Sequence, residues 1–170
     1  DRKTSSPQGK GAALVWFLSN HRDLVLQYDF VFILDADSLI DPSFIQKLDT
    51  LLTPMVDAAQ CYLSPIEFEG SHLSTLIALS DIVEQEIFDK IRAWFGFSVR
   101  LRGTGMVFRT QKLLSMYQGL GSEVEDIVLS LKFAEHKIKV EWFPDLKVYD
   151  PKPVESAAAT RQRARWFRGQ

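Results

Sequence analysis

The chain has 170 residues, 46% of them hydrophobic, and a formal net charge of -2. That length and composition bound one globular domain with a real core and exclude an intrinsically disordered segment. The near-neutral charge excludes a broad basic field for nucleic acid, and no run of about 18 apolar residues is available to span a membrane.

Residues 1–8 read as a loop entering a helix over Gly9 to Tyr28, whose stripe includes Ala12, Ala13, Phe17, Leu18, Leu24 and Val25. Phe30 to Leu34 is an unbroken apolar run, the pattern of a strand buried on both faces. Asp41-Pro42 opens a helix that runs to about Leu52, with Asp at the cap and Pro in the first turn. Ala58 to Leu63 is a strand; its Cys61 is the single cysteine and reads as a buried structural thiol, in keeping with a reducing compartment. After a loop over Ser64 to Ser71, a long helix is expected from His72 to Phe95, with its apolar stripe packed on the core. Met106 to Arg109 reads as a strand, Gln111 to Tyr117 and Glu123 to His136 as helices, and Lys139 to Phe143 and Lys147 to Tyr149 as two short strands. A last helix covers Val154 to Phe167. Strands alternating with helices predict an α/β layer architecture.

Five short patterns carry chemistry. Asp35-Ala36-Asp37 follows the apolar strand, so two carboxylates reach the edge of a sheet where α/β proteins bind ligands. In an extended segment, i and i+2 point the same way, and hard divalent cations want such oxygens. Glu125-Asp126 opens a helix, where the dipole favours acids; the chemical reading is a general base. Gln162, Arg165, Trp166 and Gly169 share one helical face, on which an amide, a guanidinium and an indole suit a diphosphate and a sugar ring as well as a basic surface helix. Gly9-Lys10-Gly11 can bring a helix start close to a phosphate, and Gly103-Thr104-Gly105 lets a substrate pass near backbone. Taken singly, the last two read first as a helix cap and a tight turn.

In this order the five patterns resemble family 2 glycosyltransferases, in particular the membrane-linked branch of cellulose, hyaluronan and chitin synthases, and the resemblance covers nearly the whole chain. It implies a GT-A (nucleotide-diphospho-sugar transferase) fold with a mixed sheet between helices, of which residues 1–170 would be the C-terminal part only. The nucleotide-binding first half and any transmembrane segments would be absent, leaving an exposed sheet edge and a tendency to self-associate. The implied reaction is inverting, metal-dependent transfer of a hexose, with UDP as the expected nucleotide, to a glycan or lipid-linked acceptor at the cytoplasmic face of a membrane. Asp35 and Asp37 would hold the donor diphosphate through Mg²⁺ or Mn²⁺, and Lys10 would lie near the nucleotide. Asp126 would be the catalytic base, with Glu125 beside it. Gln162, Arg165 and Trp166 would bind the diphosphate and the acceptor end, and Gly103, Thr104 and Gly105 would line the acceptor path. Trp94-Phe95-Gly96-Phe97 would offer a lipid contact. A soluble single-transfer enzyme, a non-catalytic module keeping the fold, and a nucleotide- or metal-binding protein unrelated to sugars stand as alternatives.

Overall fold

A computed structural model describes residues 9–65, 72–120 and 124–151. The described residues form a five-stranded mixed sheet with helices on both faces, an α/β arrangement as expected. Strand order is β1 (Phe30–Ile33), β4 (Met106–Arg109), β3 (Ala58–Pro65), β5 (Val140–Asp150), β2 (Leu39–Ile40). β3 runs parallel to β5, and every other pairing is antiparallel.

Alternation along the strands divides the core. Met106 and Phe108 of β4 face one layer, where Phe108 stacks on Phe133 with ring centroids 5.5 Å apart. That layer takes Leu18 from α1 (Lys10–Asn20), Leu113 from α6 (Thr110–Met116), and Leu129 and Phe133 from α7 (Glu125–Glu135). Val107 faces the other layer, with Cys61 and Leu63 of β3 and with Phe44 and Leu48 of α3 (Phe44–Leu51). Burying each such aliphatic or aromatic side chain contributes about 1.5–3 kcal/mol, so both helical layers are held chiefly by this burial. Cys61 is fully buried, and desolvation pushes its thiol up to about 12.

Several expectations need correction. Phe30 to Ile33 meets a core layer on each face, Val31 and Ile33 on one and Phe30 and Phe32 on the other, but the cover is partial: β4 is its one strand partner among the described residues, and Ile33 alone of the four is buried. The helix over Gly9 to Tyr28 breaks at His21, leaving α1 and the single turn α2 (Arg22–Val25). α3 begins at Phe44 with Ser43 at its cap position, so Asp41 does not cap it through its side chain. α7 begins at Glu125, two residues later than expected. The two short strands near the end are one strand, β5, whose Pro144 to Leu146 bulge out where the register passes from Cys61↔Phe143 to Tyr62↔Lys147. β2 pairs with the far half of β5, a two-residue contact too short to read as a strand in advance. The helix over Val154 to Phe167 lies outside the described residues.

The largest departure is the long helix. α4 (His72–Val83) passes through a π-helical segment, Glu84–Asp89, into α5 (Lys90–Trp94). Its apolar stripe is not in the core. Leu76, Leu79, Val83, Ile87, Ile91 and Trp94 are exposed, Trp94 to 81%, whereas Gln85 and Asp89 are fully buried. The widened turn carries those two polar side chains inward. Gln85 lies against β3 and treats it as a strand neighbour would: Leu63 N–H donates to its Oε1 at 2.8 Å, and its Nε2 donates to Leu63 O at 2.9 Å. Periodicity located the stripe but could not say which side of the helix the core would take.

Candidate active site

The carboxyl end of β1 and the start of α7 meet across one glycine turn. Asp35 and Asp37 lie not on extended backbone, as the i, i+2 argument assumed, but in a turn that Ser38 N–H closes onto Asp35 O at 3.1 Å. The turn still gathers the acids, because β5 brings in a third. Carboxylate oxygens of Asp35, Asp37 and Asp150 lie within 4.8 Å of one another. Pairing of Tyr149 with Leu39 and of Asp150 with Pro65 delivers Asp150 to this spot. The sequence reading missed it. Its one local signal is an acid closing an apolar strand end, Val148-Tyr149-Asp150-Pro151.

Lys10, in the first turn of α1, ties the acids to the glycine turn. Its Nζ is ion-paired with Asp35 Oδ1, donates to Gly103 O at 2.5 Å and lies 3.9 Å from Glu125 Oε1. Thr104 is buried, and its hydroxyl accepts the Asp35 N–H at 3.0 Å and shares a hydrogen bond with Ser38 Oγ at 3.0 Å. Gly103 and Gly105 both have positive φ, +87° and +67°, a region that costs other residues strain. At Gly105 a Cβ would also come within 3.2 Å of Leu63 and Val148, so the turn can lie flat on β3 and β5 only with glycine there. At Gly103 a Cβ would lie 3.8 Å from Asp126 Oδ2, which places the Asp126 carboxylate directly across the turn.

The two acids in the first turn of α7 differ. Asp126 is partly exposed, and one of its oxygens accepts the Ile127 N–H at 2.9 Å. Glu125 is buried at 5% exposure. Burial raises its carboxyl above the usual range, and Asp126 and Asp35 push the same way, while a backbone N–H and Lys10 pull it down.

Lys10, Asp35, Asp37, Gly103, Thr104, Gly105, Glu125 and Asp126 thus occupy one continuous region, while Gln162, Arg165 and Trp166 lie outside the described residues. An oxygen-rich cluster beside one ammonium group suits a hard divalent cation and a polyanionic substrate. No helix among the described residues is long and apolar enough to cross a membrane.

The sequence pattern of the family described as Glycosyl transferase family group 2 matches residues 30–170. No curated protein matches the sequence. The fold is similar to the crystal structure of mannosyl-3-phosphoglycerate synthase from Rubrobacter xylanophilus, at 16% identity and a TM-score of 0.45. That likeness covers 95% of this chain and 49% of the other, so the chain spans about half the length of the structure it matches.

Proposed function

We propose, from the premise that this chain belongs to glycosyl transferase family group 2, that it carries the metal- and acceptor-side machinery for inverting transfer of a hexose from a UDP-sugar to a glycan or lipid-linked acceptor. The observation that carries this reading is the convergence of Lys10, Asp35, Glu125 and Asp126 on the Gly103–Gly105 turn.

In this reading the acceptor hydroxyl oxygen attacks the anomeric carbon as the bond from that carbon to the diphosphate oxygen breaks, with inversion. The hydroxyl proton passes to Asp126, the more accessible of the two acids in the first turn of α7. Glu125, buried and beside Lys10, holds that ammonium in place. Asp35 and Asp37, with Asp150, have the donor set to hold Mg²⁺ or Mn²⁺, as the clustering of their oxygens supports. When bound, such an ion neutralises charge on the leaving diphosphate. Gly103 to Gly105 would line the acceptor path, and Gln162, Arg165 and Trp166 would complete the diphosphate and acceptor contacts.

Self-association through the edge of β1 that has no strand partner among the described residues belongs to the same reading; a clean monomer in light scattering would count against it. The outward apolar stripe of α4 and α5, ending at Trp94, Phe95 and Phe97, supports a place at the cytoplasmic face of a membrane.

The test is titration of UDP with Mn²⁺ into the full-length protein and its Asp37→Ala variant, together with release of UDP from a panel of UDP-hexoses. Metal-dependent binding that the variant loses, with turnover of one hexose, is expected. Binding that ignores both the metal and the substitution would overturn the assignment.

A further inference from the structure

We infer that Gln60, a side chain that touches none of the reacting groups, is a positioning residue that registers the acid cluster of Asp35 against Asp126. This inference rests on the proposed transfer reaction and adds to it a residue in the central strand.

Gln60 is 1% exposed in the middle of β3, opposite Met106 on one side and Trp142 on the other. An amide costs free energy in such a place unless it is satisfied, and this one is fully used. Its Oε1 accepts the Arg102 N–H at 2.9 Å. Its Nε2 donates to Thr104 O and to Cys61 O, each at 2.9 Å, with Gly105 O at 3.4 Å. Arg102 and Thr104 flank Gly103, so one carboxamide grips the turn on both sides. Only a group with a donor and an acceptor on one planar head fits both demands. An aliphatic side chain would leave a buried N–H and a buried C=O without partners, and a carboxylate would set negative charge against carbonyl oxygens.

What Gln60 holds then holds the site. The turn presents Thr104 Oγ1 to the Asp35 N–H, Gly103 O to Lys10 and the bare face of Gly103 to Asp126. Asp35 follows β1 and Asp126 lies in the first turn of α7, elements far apart in the chain. The distance between the leaving-group side and the base is therefore set through the turn, and misplacement by about 1 Å is enough to cost roughly 100-fold in rate.

The experiment compares the full-length protein with its Gln60→Met variant by amide hydrogen exchange, UDP–Mn²⁺ titration and steady-state transfer. The expected result has three parts. Exchange speeds up about tenfold or more at the amides of both Arg102 and Asp35, since each loses a held acceptor. Turnover kcat falls about 100-fold. UDP–Mn²⁺ affinity stays within about threefold, because the acids themselves remain in the turn after β1 and at the end of β5. Faster exchange at Arg102 with the Asp35 amide unchanged would overturn the inference, as would a kcat loss that only tracks the unfolded fraction. Should Gln60→Met fail to fold, Thr104→Val and Thr104→Ser replace it. Valine, without the hydroxyl, is expected to reproduce the Asp35 exchange and the kcat loss, and serine to restore both; a valine variant with neither change overturns the inference. Absence of any sugar transfer in the parent protein would defeat the proposed reaction, and the exchange at Asp35 would still decide whether Gln60 couples to it.

Discussion

Two polar clusters lie under this fold, and they are built on opposite terms. Beneath the π-helical segment, Arg102 is paired with Asp89, fully buried, and with Glu84 at 3.0 Å, while Arg92 and Arg100 add further cations at 3.3 and 3.8 Å. Each carboxylate there is met by two guanidinium groups. Around the glycine turn, Asp35, Asp37, Glu125, Asp126 and Asp150 gather, and Lys10 is the cation that their ion pairs show. Acids outnumber cations there among the described residues, and Glu125, its carboxyl raised chiefly by burial, is pushed further the same way by Asp126 and Asp35. A cluster whose acids are all met by guanidinium groups is suited to stability; one with more acid than cation among its described residues is suited to a positive ligand. Arg102 stands beside Gly103, so the first cluster anchors the loop on which the second is arranged.

The comparison breaks most sharply at Asp126. Asp126→Asn should fold normally and lower kcat about 1,000-fold, within the range for loss of a general base, as a coupled assay of nucleotide release would read. Comparable activity in that variant would move the base elsewhere.

At Asp89 the expected damage is to folding instead. Asp89→Ala takes the fully buried partner from the Arg102 guanidinium, whose side chain is 10% exposed, leaving it the half-exposed Glu84, and should cost about 3 kcal/mol in urea unfolding. Asp35→Ala, half-exposed and in an acid-rich site, should change stability by no more than about 1 kcal/mol while abolishing metal-dependent UDP binding. Equal losses from the two substitutions would erase the distinction between the clusters.

Glu125 gives a pH test. Its folded carboxyl titrates above the unfolded value of about 4.3, so the folded state favours the protonated form. The stability this contributes is complete below about pH 4.3 and disappears as pH rises through the raised value. Glu125→Gln cannot ionise. Relative to wild type, it should therefore gain stability as pH rises from about 4 to 7, measured by urea unfolding at both ends; a difference independent of pH would contradict the raised carboxyl.

The smallest effect on folding is expected on the exposed face of α5. Trp94→Ser should alter stability by no more than about 0.5 kcal/mol, because the indole packs on little. It should nonetheless reduce retention on phosphatidylcholine vesicles, if the stripe meets a membrane. Unchanged retention would leave the stripe without that role.

What the sequence made legible was local. The apolar run before Asp35, the glycines around Thr104 and the acids at the start of α7 each announced their own geometry, and the fold brings all three together. Asp150 was hidden because it reaches Asp35 through strand pairings at Leu39 and Pro65, contacts that no short window contains. Gln60 was hidden because one polar residue in a strand reads as ordinary alternation until both faces prove to be covered. The long helix misled for a related reason: its polar side chains had partners waiting in β3 and Arg102, so the polar side went inward.

Cys61 offers a last use of this architecture. Its thiol, pushed up to about 12 and sealed between sheet and helix, holds almost no thiolate near neutral pH, so the closed protein should ignore alkylating reagents. Its backbone N–H donates to Gly105 O at 2.8 Å, which sets the thiol next to the turn that organises the site. As the single cysteine, it makes the chain its own stopwatch: the rate at which label accumulates times how often the turn lifts from the strand beneath it.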